Sequence, residues 1–252
     1  MTVTIVTGAS SGLGRELFCS AVSRVSSDEY WLIARRRDEL EKTAALCPRA
    51  KCRVLPLDLS DPNVPKAIAL ALEQMDATVD LLINNAGFGV LGDVATAEPD
   101  RLTGMLDVNV RALTALTRAV LPRMKEGSGI INVASIAAFA PNPRLTVYSA
   151  SKAYVYAFSK GLREETLPLG INVLAVCPGP MDTGFLPTAG ISDDSAPAFT
   201  RLPYCDPKKV AEAAVKRVLE GKSVAVVGAL YKLYRIVAKI LPHSWVMKFS
   251  KL

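Results

Sequence analysis

The chain has 252 residues and half of them are apolar, which is enough to bury a large core in one or two domains. The net charge is +6, but residues 229–252 hold five basic residues and no acidic ones, so the remainder is nearly neutral and no broad nucleic-acid-binding face is expected. Five cysteines without C-x-x-C spacing and a single histidine exclude a typical zinc set and most Ser-His or Cys-His chemistry.

The chain opens on a β-rich stretch at residues 2–7 and continues into a helical pattern from Arg15 to about Ser26. Between them lies a glycine-rich turn, Gly8-Ala9-Ser10-Ser11-Gly12-Leu13-Gly14. Such glycines let the backbone approach a pyrophosphate whose charge sits at the helix N-terminus. An ordinary tight turn between strand and helix is the alternative interpretation.

Targeting and membrane-spanning segments have recognisable sequence patterns. The first residues form a strand pattern instead of a basic leader, and no apolar run reaches about 18 residues, so we expect neither a signal peptide nor a spanning helix. The unpaired cysteines are typical of reduced thiols, and we therefore expect a cytoplasmic protein.

A second strand, Tyr30 to Ala34, ends in three arginines, Arg35-Arg36-Arg37. In a dinucleotide site the residue after this strand meets the adenosine ribose, where an acid holds a free 2′-hydroxyl and an arginine accommodates a 2′-phosphate. The first acid, Asp38, comes later and suits the first turn of the next helix. The pattern favours NADP(H) over NAD(H), and a solvated basic turn is the alternative.

Polar residues follow the next two strands. Cys52 to Leu57 ends at Asp58-Leu59, where a carboxylate could accept from an adenine amino group or cap the helix after Pro62. Val79 to Ile83 ends at Asn84-Asn85-Ala86-Gly87, in which asparagines can tie neighbouring strands together and Gly87 permits a close approach.

One long helix is predicted from Arg101 to Lys125, interrupted by Asn109. Asn109 is either a surface residue or the site of a kink that frees a main-chain carbonyl for a water. A fifth strand, Gly129 to Ala134, ends at Ser135, which either points into a ligand crevice or caps a turn.

The pair Tyr148 and Lys152 lies one turn apart if the stretch is helical, with both side chains on one face. The nearby positive charge is expected to lower the pKa of the Tyr148 phenol from about 10. After a sixth strand, Ile171 to Val176, residues 184–205 look like a mobile lid, because a helix (Pro207 to Glu220) and a strand (Ser223 to Val227) follow.

These pieces together resemble the short-chain dehydrogenase/reductase family across nearly the whole chain. The resemblance is carried by Thr7 with the glycine turn, Asp58, Asn84 to Gly87, Asn109, Ser135, Tyr148-x-x-x-Lys152, and Pro178-Gly179 with Thr183. It implies one α/β Rossmann-type domain over residues 1–252, a doubly wound parallel sheet of about seven strands with helices on both faces, and a homodimer or homotetramer.

The resemblance also implies roles. Tyr148 would be the general acid in carbonyl reduction and the base in alcohol oxidation, with Lys152 lowering its pKa and binding the nicotinamide ribose. Ser135 would hold the substrate oxygen, and Asn109 a water for proton relay. The implied NADP(H) contacts are Gly8, Ser10, Ser11, Gly12, Leu13, Gly14, Arg35, Arg36, Asp58, Leu59, Asn85, Ala86, Gly87, Tyr148, Lys152, Pro178, Gly179, Met181 and Thr183.

Two stretches need separate treatment. The loop before Tyr148, Pro141-Asn142-Pro143-Arg144, would line the substrate entrance, where Arg144 meets either an acidic substrate group or solvent. Residues 229–252 form a basic amphipathic helix ending at Pro242, followed by Trp245 and Phe249. This tail packs on its own or a neighbouring subunit and walls the pocket, rests on an anionic membrane surface, or is a plain surface helix.

The resulting hypothesis is an NADP(H)-dependent oxidoreductase that interconverts a ketone and a secondary alcohol without a metal. The apolar lid residues favour a bulky hydrophobic substrate such as a steroid, as in a hydroxysteroid dehydrogenase, a bile acid or a lipid-like ketone; they are Phe185, Leu186, Ile191, Phe199 and Leu202. The alternatives are reduction of a 3-oxoacyl thioester on an acyl carrier protein and a non-catalytic NADP-sensing protein.

Overall fold

The computed structural model describes residues 1–192, 194–196 and 201–249. It confirms the predicted fold class: seven parallel strands form one sheet in the order β3-β2-β1-β4-β5-β6-β7. Of the predicted lid residues, Phe199 lies outside the described part of the chain.

The strands are β1 (Thr2–Thr7), β2 (Glu29–Ala34), β3 (Cys52–Pro56), β4 (Thr78–Asn84), β5 (Met124–Val133), β6 (Asn172–Val176) and β7 (Val224–Ala225). The α-helices are α1 (Gly12–Val22), α2 (Arg37–Ala45), α3 (Val64–Gln74), α4 (Pro99–Leu106), α5 (Leu113–Val120), α6 (Thr146–Thr166), α7 (Phe185–Ala189), α8 (Pro207–Leu219), α9 (Ala229–Ile240) and α10 (His243–Phe249). A π-helical turn (Asp107–Ala112) joins α4 to α5.

Helices cover both faces of the sheet. Alternate residues along each strand point to opposite faces, so each strand contributes to two cores. In β1, Val6 packs with residues of α1 and α8 such as Leu17 and Val210. Its neighbours Val3 and Ile5 belong to the opposite core, which α3, α5 and α6 cover. No helix in the described chain is long and apolar enough to cross a membrane.

The prediction of one long helix from Arg101 to Lys125 is wrong at its C-terminal end. The helical run ends in a short 3₁₀ turn (Leu121–Arg123), and β5 begins at Met124, which pairs with Val79. The pairing register then shifts, and Gly127 takes a φ of +86° within the irregular start of the strand. Pairing with β4 therefore overrides the helical preference of the Met124-Lys125 sequence.

Buried asparagines tie neighbouring strands together, as the sequence predicts. The Asn84 side-chain amide donates to Asn132 Oδ1 at 2.9 Å, joining the ends of β4 and β5. Asn132 in turn donates to Ser159 Oγ of α6 at 3.0 Å. These buried, hydrogen-bonded amides fix the edge of the sheet from which the site is built.

Candidate active site

A cleft of about 730 Å³ opens at the carboxyl ends of the strands. Chain connections leave in opposite directions from the neighbouring strands β1 and β4, and such a switch point is where open α/β sheets bind ligands. Every site residue predicted from the sequence lines this cleft, except Asn109, which lies behind its wall. Residues far apart in the chain are therefore brought together at one sheet edge.

The glycine turn forms a cradle for an anion. A Cβ atom on Gly14 would lie 2.1 Å from the Gly8 carbonyl oxygen, so the turn and the start of α1 are closed too tightly for any side chain there. Gly12 has a φ of +51°, a conformation that favours glycine. The N-cap residue Ser11 makes no side-chain hydrogen bond, which leaves the first amides of α1 for an anionic ligand.

Asn85 shapes this turn through its side-chain amide and also lines the cleft. Its side-chain amide donates to the carbonyl oxygens of Thr7 and Gly8 at 3.0 and 3.2 Å. The Thr7 hydroxyl accepts the amides of Asn85 and Ala86 at 3.0 and 3.1 Å. Thr7, which the sequence indicates only as part of the motif, is thus the hydroxyl that joins the end of β4 to the phosphate turn.

Arg35 and Arg36 are exposed and line the cleft directly after β2. Among the described residues neither forms an ion pair, whereas the next arginine, Arg37, pairs with Glu41 at 3.8 Å. Two unpaired guanidinium groups at this position suit a 2′-phosphate, since arginine binds phosphate in bidentate geometry.

Asp58 lies in the same region and binds the following turn. Its Oδ1 accepts from the Ser60 amide at 2.9 Å and from the Ser60 hydroxyl at 2.8 Å. These bonds, with the charge of Arg35, hold the pKa of the Asp58 carboxyl below its usual value despite partial burial. The alternative that Asp58 caps the helix after Pro62 is wrong, because α3 begins at Val64 with Asn63 as its N-cap.

Tyr148 and Lys152 lie one turn apart on α6, and both are buried. The Lys152 ammonium is 5.8 Å from the centre of the Tyr148 ring and donates to the Val133 carbonyl oxygen at 2.8 Å. A Cβ atom on Gly87 would lie 3.3 Å from Lys152 Nζ, so the glycine leaves the ammonium open to the cleft.

The expectation that Lys152 lowers the pKa of Tyr148 is wrong in this structure. Burial raises the pKa of Tyr148 to about 12, and a hydrogen bond with the Ser135 side chain offsets only part of that rise. Burial likewise lowers the pKa of Lys152 to about 8, against a smaller opposite effect of Cys177. Desolvation is the largest effect on both groups, so the phenol is protonated at neutral pH.

Ser135 follows β5 and does two things at once. Its hydroxyl accepts the Ala137 amide at 3.1 Å and caps a 3₁₀ turn (Ile136–Ala138). The same hydroxyl lies near the Tyr148 phenol and lines the cleft. The two interpretations drawn from the sequence, a turn cap and a residue facing the crevice, therefore both hold.

Asn109 sits in the π-helical turn, so the irregularity predicted there is present. Its Oδ1 accepts the Phe88 amide at 3.0 Å, and its Nδ2 donates to the Phe88 carbonyl oxygen at 2.9 Å and to Ser151 Oγ at 3.1 Å. Asn109 thus clamps Phe88, a residue lining the cleft, to α6. Its water-holding role stays a prediction.

Arg144 is partly buried and binds the backbone of the lid segment. It adopts a φ of +64°, and its guanidinium donates to the Ser195 carbonyl oxygen at 2.8 Å. Its own carbonyl oxygen accepts the Gly92 amide at 2.8 Å. Arg144 therefore joins the loop before Tyr148 to the lid segment, which sequence reasoning missed because the partner is a backbone atom 51 residues away.

The wall opposite the glycine turn is apolar. Phe185 packs on the Tyr148 ring with centroids 5.5 Å apart. The other hydrophobic wall residues missed from the sequence come from the segment after β4, the π-helical turn, the 3₁₀ turn after β5 and the start of α6; they are Phe88, Val108, Ile136, Ala137 and Leu145. Their spacing carries no motif, since they come from separate segments.

The C-terminal region reaches the cleft at the Pro178-Gly179 turn through the ring of Tyr231. A Cβ atom on Gly179 would lie 2.4 Å from the ring of Tyr231, the inward-facing residue of α9. The Tyr231 hydroxyl donates to the Pro203 carbonyl oxygen in the lid segment. Tyr231 thus holds the Pro178-Gly179 turn and the end of the lid together.

Known proteins resemble this chain in sequence and in fold. A family model described as short chain dehydrogenase matches residues 2–191. A Helicobacter pylori protein named "Probable short-chain type dehydrogenase/reductase VdlC" is 30% identical over 96% of this chain and 94% of its own. A short-chain dehydrogenase from Sphingobium yanoikuyae, solved with NADPH, is 28% identical, covers 95% of this chain and 94% of its own, and has a TM-score of 0.79.

A third similar protein is a 3-ketoacyl-(acyl-carrier-protein) reductase from Brucella melitensis, solved with NADH. It is 28% identical over 90% of this chain and 96% of its own, with a TM-score of 0.76. The chain belongs to the short-chain dehydrogenase family of oxidoreductases.

Proposed function

We propose that the protein is an NADP(H)-dependent oxidoreductase that interconverts a ketone and a secondary alcohol. The observation that carries this proposal is the buried group of Tyr148, Lys152 and Ser135 at one end of a cleft whose other end has a phosphate cradle and two unpaired arginines. The Sphingobium protein of similar fold binds NADPH, which agrees with this assignment.

The bound nicotinamide would supply the hydride. Tyr148, with a pKa of about 12, is a neutral phenol at pH 7 and suits the role of proton donor to a ketone oxygen. Ser135 would hold the same oxygen by a hydrogen bond, and Lys152 would hold the cofactor ribose and return a proton to the phenol. In the direction of alcohol oxidation Tyr148 would accept the proton instead.

The apolar wall supports a bulky hydrophobic substrate. Phe185, Leu186 and Ile191 of the lid face the cleft beside Tyr148. Among the described residues that line the cleft, the charged ones all lie outside the lid; they are Arg35, Arg36, Asp58, Arg101 and Lys152. Apolar lining with a few placed polar groups is typical of sites for hydrophobic ligands. Steroid or bile-acid hydroxyls and lipid-like ketones are the substrate classes that fit best.

Replacing Tyr148 tests the proton donor. We expect Tyr148→Phe to lower kcat for NADPH-dependent ketone reduction by roughly 10² to 10⁴, the usual contribution of general acid catalysis. NADPH binding, measured by fluorescence, should be retained. The control is Tyr154→Phe on the solvent side of the same helix, where the hydroxyl bonds only Thr114. Turnover in Tyr148→Phe equal to that of Tyr154→Phe would refute the assignment.

Replacing the two free arginines tests the cofactor. We expect the double variant Arg35→Ala/Arg36→Ala to raise KM for NADPH by about tenfold or more, because charge-assisted bonds to a 2′-phosphate are lost. KM for NADH should change little. Arg37→Ala is the matched control, since Arg37 is an exposed neighbour paired with Glu41. A wild-type preference for NADH would overturn the assignment.

A second candidate is 3-oxoacyl thioester reduction, which the similarity to the Brucella reductase favours. A panel of steroid ketones, acyl thioesters and small ketones with NADPH separates the two. Acyl thioesters turned over with the higher kcat/KM would favour the second candidate, and steroid or lipid-like ketones the first.

A further inference from the structure

The outward face of α9 is apolar and carries the largest exposed side chains of the described C-terminal region. Leu233, Ile236 and Ile240 expose 58%, 56% and 74% of their surface, and Trp245 of α10 exposes 58%. The three aliphatic residues follow a spacing of three and four, so they form one stripe along the helix. The aliphatic residues of the tail therefore largely face outward, and the tail packs on its own chain through the opposite face of the helix.

The opposite face of α9 is already occupied. Tyr231 and Ala238, two turns apart, are buried against the body of the protein. Arg235 is turned inward as well, donating to the Tyr156 hydroxyl at 3.1 Å. Because these contacts fix the orientation of α9, its outward stripe cannot turn toward the body of the protein without breaking them.

Basic residues border the stripe. Lys232 and Lys239 are exposed and lie two turns apart, so they stand in a row along one edge of the stripe. The sequence from 229 to 252 adds Lys248 and Lys251 and contains no Asp or Glu. The surface is therefore apolar at its centre and positively charged at its margin.

We propose that this surface, Leu233, Ile236, Ile240 and Trp245 with Lys232 and Lys239, docks on an anionic phospholipid bilayer. A helix with an aliphatic face, a tryptophan and flanking lysines lies in the plane of a lipid interface, with its apolar side chains among the acyl chains and its ammonium groups at the phosphates. Trp245 of α10 is an exposed residue of the type found at lipid interfaces, since its ring is apolar and its N–H is polar.

A second copy of the chain fits this surface less well. In a symmetric contact the same stripe would meet itself and bring the lysine rows of both copies together, with no acidic residue in 229–252 to pair with them. An anionic bilayer offers the opposite charge along the whole row, so charge complementarity favours lipid.

Vesicle flotation of the full-length protein tests the proposal. We expect binding to vesicles of equimolar phosphatidylcholine and phosphatidylglycerol that weakens as salt is raised, and little binding to phosphatidylcholine alone. The variant Lys232→Glu/Lys239→Glu should bind the anionic vesicles more than about tenfold less, since each lysine near such a surface contributes roughly fivefold. The control with the same charge change is Lys208→Glu/Lys209→Glu, on exposed residues of α8.

The apolar contribution has its own pair of variants. Leu233→Ser/Ile240→Ser should also lose most of the binding, whereas Leu70→Ser/Leu219→Ser, which alters two leucines of α3 and α8 that are each 53% exposed, should keep it. Far-UV circular dichroism checks that each variant is folded, and NADPH turnover should match the wild type. Absent or salt-independent flotation, or retention by the two α9 variants, would overturn the proposal. So would a fall in oligomer mass on Leu233→Ser/Ile240→Ser in sedimentation, because a second copy would then occupy the stripe.

Discussion

The ammonium of Lys152 is a buried charge in the cleft and is costly to bury. Its pKa falls to about 8 because burial disfavours the charged form, and its one hydrogen bond to protein goes to the Val133 carbonyl oxygen. Polar groups held in such settings usually serve binding or catalysis at the expense of stability. The free energy of unfolding should therefore depend on the protonation of Lys152.

We expect the free energy of unfolding to depend on pH through Lys152. Below about pH 8 Lys152 is charged in both the folded and the unfolded state, and the folded state bears the full cost of burying the charge. Between about pH 8 and the ordinary pKa of 10.5 only the unfolded state keeps the proton, so the contribution of Lys152 to stability rises with pH. Thiols whose pKa is raised from 9.0 by burial, such as that of Cys52, contribute in the opposite direction. We expect Lys152→Met to flatten this rise, which amounts to about 3 kcal/mol at most. Urea unfolding at pH 7 to 10 measures it. Lys160→Met, further along α6, is the control; an unchanged slope in Lys152→Met would contradict the burial argument.

At the scale of the elements, the junction of α4 and α5 is the least regular part of the helical layer. The π-helical turn points Asn109 inward, where three hydrogen bonds connect it to Phe88 and Ser151. π-turns occur frequently at functional sites because the extra residue redirects a side chain. Here the redirected amide sets the position of the segment after β4, along which the cofactor ribose is expected.

Two glycines within helices differ in the space they leave for a side chain. Gly14 in α1 is closed against the Gly8 carbonyl oxygen, whereas Gly161 in α6 has nothing within 4 Å of an added Cβ atom. We expect Gly161→Ala to raise the free energy of unfolding by up to about 1 kcal/mol and to leave NADPH affinity unchanged.

We expect Gly14→Ala, in contrast, to lower the free energy of unfolding by about 1–3 kcal/mol and to abolish tight NADPH binding. Urea unfolding and fluorescence titration of both variants provide the comparison. Tight NADPH binding by Gly14→Ala would show that the turn can open, against the cradle described above.

At the scale of the whole molecule, a bound cofactor should add to stability, because the cleft joins segments from both halves of the chain. NADPH at about 100 times its Kd should stabilise the fold by about 2.7 kcal/mol. For a protein of this size the thermal midpoint should rise by roughly 5 to 10 °C. Thermal unfolding monitored by circular dichroism measures this shift, and an equal shift with NADH at the same concentration would contradict the preference for NADP(H).

Much of this architecture is predictable from sequence. Local signals mark where strands end, and the ends of parallel strands meet at one edge, so Gly8, Asp58 and Ser135 can be assigned to one cleft from local patterns. The family resemblance supplies the strand number and the roles of Tyr148 and Lys152. These parts are accessible because each depends on a short motif.

Other features depend on burial and on distant backbone, which no local pattern encodes. The sequence predicts a lowered pKa for Tyr148 because it reveals only the nearby charge, whereas the enclosing walls come from other segments. Arg144 meets a backbone oxygen of the lid, and backbone partners leave no trace in sequence. Met124 enters a strand because β4 pairs with it, against its local preference.

The hydrogen bonds of Asn85 have a consequence for the order of events during biosynthesis. Its amide holds the Thr7 and Gly8 carbonyl oxygens, and Gly8 precedes it by 77 residues. A nascent chain can pair β1 with β2 and β2 with β3 while β4 is still in the ribosome, but the glycine turn then lacks the amide that shapes it. Affinity for a nucleotide therefore arises only after β4 has emerged and docked, and a fragment ending before Thr78 should not retain it even where its strands pair.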